Sequence, residues 1–264
     1  MSQENVEVVR RVFDYFNQTG EAGPLDLYEP QVTFTTRGDV EGPTTFTGHR
    51  GMADGVASFG EAWAETAAHV IALIPGDDVV VAVVRFDLRS HEGAELEVEE
   101  GWAYWLRDGK LTQIEQHGSR EQALEAAGLS ELAMSQEDVE VARRSLEAVK
   151  RGDFEAALQD AAPDFEYDLS RAVGPWRGVY GRDGALSMIR DIVESWEWVR
   201  VEPHERIEVG EHVVTPWTMR GAGRDGIEVE ARFTWLTTIR DGLIVRISLH
   251  QEREEALEAA GLSE

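Results

Sequence analysis

The chain repeats itself at a fixed offset of 133 residues. MSQENVEVVRR at 1–11 returns as MSQEDVEVARR at 134–144, and EQALEAAGLSE at 121–131 returns as EEALEAAGLSE at 254–264. Between these ends the same offset pairs Pro30 with Pro163, Gly48 with Gly181, Trp63 with Trp196, Trp102 with Trp235 and His117 with His250. One residue of slippage near 76 sets Gly76 opposite Gly210, and register returns before RDG 107–109 meets RDG 240–242. The period is far longer than a solenoid repeat, so each copy is expected to be a whole domain, 1–133 and 134–264. Met134 reads as a former initiator.

Within one copy, periodicity assigns the elements. Val6, Val9, Phe13 and Phe16 recur at helical spacing behind Ser2, a candidate cap matched by Ser135. A short second helix is expected near 24–29 and 153–161. A strand follows at 32–36 and 165–169, then a third helix from GHRG (48–51) or GRDG (181–184) to Trp63 or Trp196. Three long strands, roughly 78–90, 95–107 and 110–117 in the first copy, lead to a closing helix at 120–127 or 253–260. Gly128 and Gly261 stand where a left-handed residue ends it. This order predicts an α+β fold, a curved and mostly antiparallel mixed sheet wrapped over helices as a cone-shaped barrel, one per copy.

Composition narrows the function. The 51 acidic and 25 basic residues give a net charge of -26, which disfavours nucleic acid and anionic membrane surfaces as partners. With no cysteine, a thiolate nucleophile or Cys-ligated zinc is unavailable. The seven histidines show no H-x-x-x-H or H-E-x-x-H spacing, so no metal site is expected. GHRG and GRDG lack the Walker spacing and lysine of a phosphate loop. The charged N-terminus and the absence of a long apolar stretch make a cytoplasmic location the default expectation.

The order α-α-β-α-β-β-β-α and the closing REEALEAAGL resemble the SnoaL-like polyketide cyclase and ketosteroid isomerase group of the nuclear-transport-factor-2-like superfamily, over both copies. The resemblance implies a conical domain with a pocket between sheet and helices, and dimerisation through the other sheet face. In the first copy Arg85 and Asp87 match the Arg-x-Asp of the limonene epoxide hydrolase branch, and Glu115 falls on its second aspartate. The tyrosine and asparagine that position water in that branch correspond to Phe34 and Thr36. The isomerase apparatus is missing: its base falls on Thr36 and Leu169, its oxyanion-hole aspartate on Trp102 and Trp235.

Strand alternation from these anchors turns Phe34, Thr36, Arg85, Asp87, Glu100, Trp102, Tyr104, Glu115 and His117 into the first cavity. It turns Tyr167, Trp217, Trp235, Arg246, Ser248 and His250 into the second. An arginine between two carboxylates holds one ionised while apolar walls raise the other, so Asp87 and Glu115 form a candidate base and acid, Arg85 orients them, and His117 is an alternative base. Phe34, Thr36, Glu100, Trp102 and Tyr104, with Tyr167, Trp217, Trp235 and His250, are candidate substrate contacts. Two functions follow. One is a cofactor-independent isomerase, cyclase or epoxide-hydrolase type enzyme acting on an apolar polycyclic or terpenoid-like molecule in the first copy. The other is a non-catalytic small-ligand-binding or scaffold protein with degenerate pockets. Glu99 and its counterpart Arg232 have opposite charge, so the halves are expected to pair as an intramolecular pseudo-dimer, leaving the chain monomeric or weakly dimeric.

Overall fold

The computed structural model of the chain describes residues 3–37, 43–130, 134–223 and 226–262, without the side chains of 59–62. These divide into two compact units on either side of the 133/134 junction.

In the first unit α1 (Gln3–Thr19) is amphipathic and buries Val6, Val9, Val12 and Phe13. A single 3-10 turn over 25–27 leads into β1 (Tyr28–Thr35), then β2 (Thr45–Thr47) and α2 (Gly48–Ala62). Four long strands follow: β3 (Glu65–Pro75), β4 (Val79–Arg89), β5 (Glu95–Arg107) and β6 (Lys110–His117), and then α3 (Arg120–Ala126). The sheet order is β2-β1-β6-β5-β4-β3, antiparallel throughout except for the parallel pair β1 and β6. β3 exceeds the sequence expectation, which passed from the helix to the strand near 78.

The two faces of this sheet are covered by different helices. Val12 and Phe13 of α1 and Met52 of α2 meet Phe34, Phe86, Trp102 and Tyr104 on one face, called inner below. Ala123 and Leu124 of α3 pack with Val81, Val83 and Ala103 on the other. Gly101 permits that contact, since a Cβ there would lie 2.4 Å from the Ser119 carbonyl oxygen.

The second unit repeats the plan with α4 (Gln136–Lys150), α5 (Phe154–Ala157), β7 (Ala161–Asp168), β8 (Val179–Tyr180) and α6 (Arg182–Ser195). The counterpart of β3 is broken into β9 (Trp196–Pro203) and β10 (Arg206–Val209), which both pair with β11 (His212–Gly223). Next come β12 (Glu228–Arg240), β13 (Leu243–His250) and α7 (Arg253–Ala259), with β7 parallel to β13. Ser135 caps α4 by accepting from the Asp138 amide, as expected, whereas Ser2 lies outside the described residues. Gly128 and Gly261 take the left-handed conformation expected after the closing helices, with φ of 69° and 92°. Among the described residues no helix is long and apolar enough to cross a membrane.

Candidate functional site

The inner face of the first copy encloses a cavity of about 60 Å³ lined by α1, α2 and the strands. Its wall is a run of rings. Phe34 stacks on Trp102 with centroids 5.5 Å apart and 19° between planes, and Trp102 continues to Tyr104 at 6.4 Å and 18°. Phe86 closes one side, and Phe13 meets Tyr104 edge-on. The Tyr28 hydroxyl donates to the Ala22 carbonyl, and burial pushes the ionisation of both Tyr28 and Tyr104 far up. Both phenols are therefore neutral donors. Glu21 also lines the cavity and is exposed, which places an outlet there.

Phe34, Glu100, Trp102 and Tyr104 thus stand on the expected side. Glu100 is 7% exposed and lies beyond Trp102, where its Oε2 accepts from the Trp102 indole at 3.1 Å and the Gln116 amide at 2.8 Å. Thr36 follows the end of β1, bonds to Thr44 and does not reach the cavity lining.

Arg85, Asp87, Glu115 and His117 lie on the opposite face, which corrects the expected acid-base cluster. The register pairs Ala82 with Trp102 and Val84 with Glu100, so the even-numbered residues of β4, including Phe86, point inward. Arg85 and Asp87 are 40% and 47% exposed, with Asp87 bridging His69 at 3.0 Å and Arg85 at 3.2 Å. On β6 the pairing skips Thr112, so Leu106 faces Leu111 while Tyr104 faces Ile114. This bulge turns Ile114 and Gln116 inward and Gln113, Glu115 and His117 outward. Glu115 takes the Gln113 amide at 2.7 Å and lies 3.3 Å from His117. Two groups of polar side chains expected to share one cavity are instead a partly exposed ion-pair network on the far side of the sheet.

The second copy departs from expectation in the same way. β13 pairs Thr238 with Arg246 and Ile239 with Ile244, a bulge matching that of β6, so Ile247 faces the cavity while Arg246, Ser248 and His250 face out. His250 is 3% exposed, with Nδ1 3.1 Å from Arg171 and Nε2 3.2 Å from the Ser248 hydroxyl. Arginine can only donate, so Nδ1 accepts and the proton sits on Nε2, donated to serine. Burial first, then the Arg171 charge, lowers its pKa and keeps it neutral. Ser248 and His250 therefore do not form a nucleophile and base, because the nitrogen facing the hydroxyl already carries its proton.

The second cavity is about 30 Å³, the room of a single water. Tyr167 and Trp235 line it as expected, joined by Thr215 and Thr237. Trp217 is 1% exposed on the same face but belongs to a packed cluster with Ala148, Val149 and Ala157, its ring 4.7 Å from Trp235. Neither indole nitrogen has a hydrogen-bond partner among the described residues. Ligand pockets commonly measure roughly 300–1,000 Å³, so a polycyclic or terpenoid-like molecule does not fit either cavity as it stands. No group of three or more His, Cys, Asp or Glu is placed to hold a metal among the described residues.

The chain belongs to the SnoaL-like domain family, whose profile matches it twice, over residues 9–114 and 142–247. Among solved structures it is similar to a nuclear-transport-factor-2-like protein of unknown function from Burkholderia pseudomallei, at 26% identity over 47% of this chain and 97% of that one, with a TM-score of 0.39. It is also similar to a putative polyketide cyclase from Xanthomonas campestris (22%, 47% and 97%, TM-score 0.37). A nuclear-transport-factor-2-like protein from Burkholderia thailandensis compares likewise (21%, 49% and 100%, TM-score 0.41). No curated protein matches the chain.

Proposed function

We propose that the chain is a binding protein for a small, flat, apolar molecule held in the cavity of the first copy, and that the second copy is a structural relative with its pocket closed. One observation carries this. The stacked Phe34, Trp102 and Tyr104 wall is the continuous apolar surface bordering empty space, whereas the charged row of Arg85, Asp87, Glu115 and His117 lies across the sheet from it. An enzyme working through Asp87 and Glu115 would need both within hydrogen-bond reach of a substrate in the cavity, and the strand register opposes that. The volume of about 60 Å³ falls short of the roughly 150 Å³ of a cavity that binds benzene, so a single ring is the upper limit and enters only with a shift of lining side chains such as the unbranched Met52. Thermal-shift titration with toluene, phenol and anisole provides the test. At least one of them raises the unfolding temperature of the parent, and Val56→Phe, which fills the cavity from α2, removes the effect. Stabilisation that survives Val56→Phe but is lost in Asp87→Asn would place the site on the other face and overturn the proposal.

A further inference from the structure

We infer that the second cavity is a polar site built to hold one water molecule between the hydroxyls of Tyr167 and Thr215, with Ser145 and Thr237 completing its wall. Strand pairing sets Tyr167, Ile247, Thr237 and Val213 in one row across four neighbouring strands, and places Thr215 beside Trp235 in the next row. Ser145 lines the same space from α4. None of the four hydroxyls has a hydrogen-bond partner among the described residues. Those of Tyr167 and Thr215, on residues 6% and 2% exposed, still touch open space, unlike the sealed indole nitrogens of Trp217 and Trp235. For side chains this deep, that space is the cavity they line. A buried hydroxyl without a partner is costly, and cavities that stay dry are apolar ones. The volume of about 30 Å³ is the share of one molecule in liquid water.

The occupant is neutral. No charged side chain lines the cavity, and burial holds the Tyr167 phenol protonated by pushing its ionisation far up, so the wall offers hydroxyls that both donate and accept. An ion would find no counter-charge there. The matching positions of the first copy are mostly hydrocarbon: at the offset of 133, Val12 stands for Ser145 and Phe34 for Tyr167, and Ala82 faces Trp102 as Thr215 faces Trp235. Tyr104 stands for Thr237. The second copy thus carries three hydroxyls that the first lacks, around a smaller cavity and beside the same tryptophan. Packing alone would favour hydrocarbon at these positions, so the hydroxyls point to a polar occupant. The site is independent of any ligand in the first cavity.

A high-resolution crystal structure of the full chain tests this in the parent protein. One water peak within hydrogen-bond reach of both the Tyr167 and Thr215 hydroxyls is expected, whereas a dry cavity, or hydroxyls turned away to bond backbone carbonyls, overturns the inference. Relaxation dispersion of the water oxygen nucleus, which counts long-lived internal waters, gives the solution measurement. The double variant Tyr167→Phe, Thr215→Val keeps the side-chain shapes and should lose one such water relative to the parent, with an unchanged circular dichroism spectrum. An equal count in parent and variant overturns the assignment to these two hydroxyls.

Discussion

Trp102 and Trp235 stand 133 residues apart on matching strands, yet only the first has a partner for its indole N–H. In the first copy Glu100 and Gln116 form a small polar corner with Trp102, whose ring lines a cavity of about 60 Å³. In the second copy Phe233 and Leu249 replace that corner, the indole N–H is left without an acceptor, and the cavity shrinks to about 30 Å³. Duplication leaves two copies free to diverge, and the difference here separates what both copies carry from what one of them has. The ring at the centre of the sheet is kept in both copies. The carboxylate beside it is kept in one.

The largest expected effect probes the closed side of this comparison. Trp217→Ala should destabilise the chain by ~3–5 kcal/mol, because a ring 1% exposed leaves a cavity the surrounding helix cannot fill. Urea unfolding followed by far-ultraviolet circular dichroism measures it, and a cost below about 1 kcal/mol would mean that the second cavity is not packed as described.

A sharper contrast comes from removing the indole nitrogens. Trp102→Phe and Trp235→Phe lose similar ring area, but the first also strips Glu100 of a donor. Trp102→Phe should therefore cost ~1–2 kcal/mol more than Trp235→Phe, the net value of one charge-assisted hydrogen bond. Equal costs would show that the Glu100 contact contributes nothing.

Next in size is a pH effect confined to the second copy. His250 has a folded pKa below its ordinary value of 6.5, chiefly through burial and then through Arg171. The unfolded chain therefore binds a proton before the folded one does, and the stabilisation present above pH 6.5 is lost as pH falls through the folded value. His250→Gln should flatten the stability profile just below pH 6.5, while His212, shifted in the same direction, retains part of the slope. Asp168 acts in a separate window. Burial would raise its pKa, but hydrogen bonds from Ser170 and Arg246 outweigh that and hold it below 3.8, so its contribution is lost only under more acidic conditions.

The smallest expected changes are on the outer face of the first copy. Asp87→Asn and Glu115→Gln should each alter stability by less than about 1 kcal/mol, since ion pairs that solvent reaches contribute little. Neither should change phenol affinity, and a tenfold loss in either would return these carboxylates to the site.

Much of this fold was legible in the sequence, and the reasons for the gaps are local. The repeat gave the copies, and apolar spacing gave α1 and its partner α4. The expected inward placement of Phe34, Trp102 and Tyr104 followed from alternation, of buried with more accessible residues along β1 and of large with small ones along β5, where Trp102 and Tyr104 alternate with Gly101 and Ala103. β4 offers no such contrast. Residues 79–84 are all apolar and at most 3% exposed, because α1 covers one face and α3 the other, so alternation there has no phase. The phase was instead taken from Arg85 and Asp87, one residue out. On β6 and β13 the alternation is interrupted by bulges at Thr112 and Val245, which sent Glu115, His117, Ser248 and His250 to the wrong side. Leu111 and Ile114, buried three residues apart rather than two, carried the sign of that bulge.

The phase of β4 decides the whole account, and the absence of native cysteine allows it to be measured directly. Single-cysteine variants Phe86→Cys and Asp87→Cys, treated with a thiol reagent under native conditions, report which side each residue faces. Rapid labelling at 87 and strong protection at 86, both abolished by unfolding, is the expected result; protection at 87 with rapid labelling at 86 would reverse the sheet and contradict it.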